Sequence, residues 1–192
     1  MTEITRCSWC GTDPLYQEYH DNEWGVPLRD NQKLFEFLIL EGAQAGLSWI
    51  TVLRKRENYR KAFDNFDPHK IARYTEAKKA KLLVNEGIIR NRLKIDSAVK
   101  NAQAYLVMDK NGEDFSEFLW SFVGGKTLHN NHQNSSTIVA STPQSDAMSK
   151  ALKQKGFNFV GTTICYAFMQ ATGMVNDHVT SCHKFPFTKA RK

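Results

Sequence analysis

Six residues at the two ends of the sequence have the types and spacings of metal ligands. Cys7, Cys10 and His20 lie near the N-terminus, and His178, Cys182 and His183 near the C-terminus. Cys7-x2-Cys10 is a ligand spacing, and His178-x3-Cys182 puts two soft donors one turn apart if that stretch is helical. Zinc takes four such donors in a tetrahedral structural site, so the pattern predicts a zinc that ties the chain ends together, with six candidates for four places. The plainer alternative makes Cys10 and His183 ordinary surface residues. Cys165, inside TTICYAFMQA, reads as a small buried helix residue.

Two further segments carry chemistry. In LKQKGFNFVGTTICYAFMQA a helix ends at a glycine, a short hairpin closes on Val160-Gly161, and a new helix begins at Thr162-Thr163. A hairpin that offers backbone N–H groups at a helix N-terminus is an anion site, and such an element grips DNA phosphate without reading sequence. Its plainer reading is a glycine turn between packed helices. The other segment is aromatic: Trp9, Tyr16, Tyr19 and Trp24 fall close together, and Trp49 follows Glu41. Rings at helical spacing are usually core. Here they are mixed with a carboxylate, amides and glycines that a core does not require, which points to a pocket for a flat, polar, cationic ligand.

The elements that position these groups read as helices throughout. Leu34, Phe35, Leu38 and Ile39 recur at helical spacing behind a capping Asp30, and Ser48 caps a helix through Ile50, Leu53 and Tyr59. Asp67-Pro68 and Thr75 start two more, the second running through EAKKAKLLVNE to Gly87. Ile95, Val99, Ala102 and Leu106 form a stripe closed by Asn111-Gly112, and Phe115, Phe118, Leu119 and Phe122 a short helix closed by Gly124-Gly125. His129 to Ser145 is polar and aperiodic and reads as a surface loop; Asp146 to Lys155 and Thr162 to Thr172 are the last two helices. No alternating run of strand length appears, so the expected fold class is all-α.

The 192 residues suit one domain spanning 1–192, and 41% hydrophobic with 24% charged residues and 5 prolines is a globular composition. No apolar run is long enough to span a membrane and no signal-peptide core is present, so the sequence predicts a soluble, cytoplasmic protein. Four cysteines are too few for a disulfide scaffold and favour a reducing compartment. The net charge of +6 is concentrated in RKRENYRK, KKAK, RNRLK and the tail KFPFTKARK. That surplus is compatible with a polyanionic partner, although solvated helix faces account for each run singly.

YHDNEWG, LEGAQAGLSWITVLRKRENYR, GIIRNR and GFNFVGTTICYAFMQATGMVNDHV together resemble the DNA-3-methyladenine glycosylase I family, from Cys7 to Cys182. That resemblance implies a helix-hairpin-helix DNA glycosylase of base excision repair, with the hairpin element at about residues 146–174. It further implies a hydrolase of N-glycosyl bonds that acts on alkylation damage in double-stranded DNA and releases free 3-methyladenine, as a monomer in the bacterial cytosol. Carried over by position, the ligands of one structural Zn2+ are Cys7, His20, His178 and Cys182. The base pocket takes Glu41, Tyr19 and Trp49, joined by Tyr16, Trp9 and Trp24 from the aromatic cluster. Gly46 and Leu47 fit the turn that wedges into the base-pair gap, and Val160, Gly161 and Thr162 the phosphate-gripping hairpin. Ala43 departs from the glutamine common there in the family.

Lyase-active branches of that superfamily carry a hairpin lysine, where this chain has Thr163, so monofunctional hydrolysis is expected. The aspartate that other branches place after the hairpin falls near Asn176, with Asp177 adjacent. The alternative from another class is a non-catalytic, zinc-stapled DNA-binding module, which would keep hairpin and metal but would not need Glu41 among its rings.

Overall fold

A computed structural model describes residues 4–185; the last residues of the basic tail lie outside them. The chain there is mostly helical. In order come α1 (Pro14–Asn22), α2 (Asn31–Gln44), α3 (Trp49–Ala62), α4 (Pro68–Ile71), α5 (Glu76–Leu83), α6 (Arg92–Lys110), α7 (Phe115–Ser121), α8 (Pro143–Gln154) and α9 (Thr162–Ala171). The starts are set by short polar side chains that take up first-turn N–H groups. Asp13, Asp30, Asp67, Asn91 and Asp114 each accept from a backbone N–H two or three residues on, and Thr142 forms a reciprocal capping box with Ser145.

The central element is α2. Every residue from Leu34 to Ala43 is buried, so this helix has no solvent stripe and must lie inside a ring of others. It packs against α3, α6, α7 and α9, while α8 lies on α9. Glu41 therefore enters the core on a helix that cannot turn it outward.

The chain ends are drawn together around α9. Leu128–His129 (β1) pairs in parallel with Val175–Asn176 (β2), and the strap 25–28 crosses the end of α9 through Gly25 N–H on Gln170 O and Leu28 N–H on Thr172 O. Gly173 sits under that strap at φ +71, and a Cβ there would lie 2.4 Å from Val26 C and Pro27 N. Only glycine fits.

Several boundaries differ from those expected. The helix capped by Thr75 stops at Leu83 rather than reaching Gly87. α8 begins at Pro143, inside the stretch expected as loop, because Thr142 and Ser145 cap each other. The same stretch opens with β1, which pairs with β2 over two residues. α1 was not foreseen.

Candidate functional site

The structure brings four of the six metal candidates to one buried point. The donor atoms of Cys7, His20, His178 and Cys182 all lie within 4.8 Å of one another. Cys7 Sγ is 3.6 Å from His178 Nδ1, and Cys182 Sγ is 3.5 Å from both His20 Nε2 and His178 Nδ1. A tetrahedral zinc with bonds of about 2.0–2.3 Å spaces its donors by roughly 3.3–3.8 Å, so the residues fit the ion. The outward nitrogens are engaged as a metal site requires: His20 Nδ1 lies 2.7 Å from Asp21 Oδ1, and His178 Nε2 lies 3.1 Å from Trp24 O. Despite partial burial, Asp21 is held below the usual carboxylate range by Arg6 and His20. The thiol pair shares its proton unequally, since the hydrogen bond between them and the neighbouring imidazoles pull Cys182 down while Cys7 is pushed up.

Two readings left open by the spacing are decided here. Cys10 is not a surface residue; it is 1% exposed, and its thiol donates to Cys7 O over 3.2 Å, apart from the cluster. His178 to Cys182 is not a helix turn; the segment leaves β2 and bends, with Cys182 N–H on Val179 O. His183 is exposed, its ring against Thr5 O and Asp21.

Beside the cluster lies a recess of about 320 Å³ walled by Trp9, Tyr16, Tyr19, Trp24, Glu41 and Trp49. Tyr16 and Tyr19 share one face of α1, Trp49 opens α3, and Trp9 and Trp24 meet edge to face at 4.9 Å. The indole N–H groups of Trp9 and Trp49, residues whose rings wall the recess, are buried without a partner among the described residues, which is unusual in a finished core. Glu41 is 4% exposed, and burial alone pushes its carboxyl up to about 8.

A smaller recess of about 170 Å³ joins Glu41 to Gly46 and Leu47 on one side and to Thr163 on the other. Gly46 turns at φ +78 and Leu47 stands 42% exposed beyond it. Lys94 Nζ fixes this turn by donating to Ala43 O and Ala45 O at 2.7 and 2.8 Å. The 155–161 segment is held from α6 by Asn101, which accepts from Asn158 N–H and donates to Asn158 O. Val160 is buried with its carbonyl accepting from Ser149 Oγ, so the chain turns outward only at Gly161. Gly161 precedes α9 without a side-chain cap, and a Cβ there meets nothing within 4 Å. The first N–H groups of α9, beginning with Thr162, have no carbonyl of their own helix to bond. A larger groove, about 460 Å³, runs along α6 beside this hairpin but has no ring set and no buried carboxylate.

Sequence reasoning did not find Gln44, Ser135, Ile138 and Gln170, which also wall the aromatic recess. Gln170 left a trace, as the one amide in an apolar helix; Ser135 and Ile138 left none. Asp177 was left without a role. It is fully buried, Tyr166 Oη, Gln170 Nε2 and Asn130 Nδ2 donate to it, and His132 faces it. A carboxylate so saturated has no lone pair left to activate water.

The methyladenine glycosylase family matches this chain over residues 9–185. The chain is 57% identical to DNA-3-methyladenine glycosylase 1 of Escherichia coli K12, across 97% of this chain and 100% of that one. A crystal structure of a 3-methyladenine DNA glycosylase I superposes with a TM-score of 0.92 at 58% identity, covering 93% of this chain and 98% of that one. A second such enzyme, a variant solved in complex with 3-methyladenine, superposes with a TM-score of 0.92 at 36% identity, covering 96% and 100%.

Proposed function

The chain belongs to the methyladenine glycosylase family and removes 3-methyladenine from alkylated DNA, and we infer that it does so by hydrolysis alone, with Glu41 selecting the base rather than protonating it. An adenine methylated at N3 is cationic in the nucleoside. When the C1′–N9 bond breaks, its electron pair goes to the base, which leaves neutral without a proton from the enzyme. The sugar that turns positive is captured by water, whose proton goes to solvent. The protein's share is to take the base out of the stack, hold it and favour its charge.

The observation that carries this reading is the burial of Glu41, without a cationic partner among the described residues, on a recess walled by aromatic rings. A cationic base supplies the missing counter-charge, and the rings supply stacking and cation–π contact. Gly46 and Leu47 form the turn that fills the gap left by the base, and α8, the 155–161 hairpin and α9 form the helix-hairpin-helix that holds phosphate at Gly161 and Thr162. No lysine stands in FNFVGTT to form a Schiff base, and Thr163 occupies the recess beside Glu41. Cys7, His20, His178 and Cys182 hold one zinc, which joins the ends of the fold and takes no part in bond breaking.

Single-turnover excision of 3-methyladenine by Glu41→Gln tests the role given to Glu41. The amide retains part of the hydrogen bonding, so a partial loss is expected. A fall to the uncatalysed rate would instead make the carboxylate an obligate base.

A further inference from the structure

Gln170 stands on the last turn of α9 with its side chain on the wall of the base recess. Its Nε2 donates to Asp177 Oδ2 over 2.8 Å. On the same carboxylate, Tyr166 Oη donates to Oδ2 over 2.7 Å, Asn130 Nδ2 donates to Oδ1 over 2.7 Å, and His132 Nε2 lies 3.2 Å from Oδ1. A group that accepts from every side offers Gln170 no donor. The amide therefore has one orientation, with its N–H on Asp177 and its Oε1 on the opposite lobe.

We propose that Gln170 is a specificity-determining residue whose Oε1, held by Asp177 as a fixed acceptor, admits a purine with an amine at C6 and rejects one with a carbonyl there. This rests on reading the recess as the base pocket. Other polar groups on its wall lack that selectivity. Glu41, raised to about 8, exists near neutrality as both acid and anion, and the acid donates to a carbonyl as well as the anion accepts from an amine. The Tyr16 and Tyr19 hydroxyls can donate or accept, and among the described residues no side-chain hydrogen bond tethers the Gln44 amide. Two acceptors brought face to face in a buried site leave both unpaired, and a site built this way rejects the wrong partner far more strongly than one that only measures size.

The test compares free 3-methyladenine with 3-methylhypoxanthine, which carries oxygen in place of the C6 amine, by quenching of the recess tryptophans. The wild type should prefer 3-methyladenine, and Gln170→Leu and the more nearly isosteric Gln170→Met should each shrink that preference about tenfold or more. Equal weakening of both bases in Gln170→Leu overturns the proposal, and the same result in Gln170→Met does so should Gln170→Leu not fold. A wild type that binds neither base removes the base-pocket reading itself.

Discussion

At Glu41, burial on the wall of the recess places an acid where water cannot solvate its charge. The carboxyl titrates near 4.5 unfolded and near 8 folded, so the folded state favours the proton. Its contribution to stability is complete below the lower value and is lost as pH rises through the upper one. Glu41→Gln removes this dependence: its melting temperature relative to wild type should climb between about pH 5 and pH 8 and then level, several degrees higher. Parallel curves would place Glu41 in contact with water or a cation. If the anion is the form that takes the cationic base, kcat/KM of the wild type should rise toward the same pH. Trp49→Ala removes a stacking face worth roughly 1–3 kcal/mol and should weaken capture of 3-methyladenine by about tenfold to a hundredfold. These residues were legible because carboxylate, glycine and rings interrupt apolar runs that a core would leave uninterrupted. Gln170 and Asp177 were not, since their meaning arises only where three separate segments converge.

Most helices announced themselves by their first residues. Asp30, Asp67-Pro68 and Thr75 lead their elements as expected, each accepting a first-turn N–H. α1 went unread although Asp13-Pro14 has the same form as Asp67-Pro68, because its inward face is spent on Tyr16, Tyr19 and His20 rather than on aliphatic residues. The loop expected at 129–145 acquires its order from elsewhere, through β2 and Asp177, which no local pattern reveals. Steric room, at nearly equal φ, separates two glycines at this scale. Gly173→Ala, with backbone atoms at 2.4 Å, should cost roughly 3 kcal/mol or more, whereas Gly125→Ala, at φ +74 in open space, should cost about 1 kcal/mol in urea unfolding. Gly161→Asp meets no internal atom, so it should fold normally while its charge repels phosphate. Weakened, salt-dependent binding of undamaged duplex is expected, and wild-type binding would reduce the hairpin to a turn.

Across the whole molecule, the Cys/His cluster and the aromatic recess share walls. The His20 ring lies 5.3 Å from Trp9 and 6.2 Å from Trp24, and His178 holds Trp24 O. Metal analysis should give about one zinc per chain, lost in Cys182→Ser and kept in Cys10→Ser, and its removal should lower the melting temperature and loosen base binding together. Retention in Cys7→Ser with loss in Cys10→Ser would contradict the ligand set. The union of chain ends was legible because soft ligands at both termini have few other uses; the bend from His178 to Cys182 was not, because one spacing fits a helix and a metal-bound turn alike. The aromatic recess, the 155–161 hairpin and the Cys/His cluster are the parts on which the proposed hydrolysis rests. Incubation of the wild type with methylated duplex DNA, followed by chromatography of the released bases and borohydride treatment of the DNA, tests that most directly. Release of free 3-methyladenine with intact strands and no trapped protein–DNA adduct is the expected result; a borohydride-stable adduct, or no released base, would contradict it.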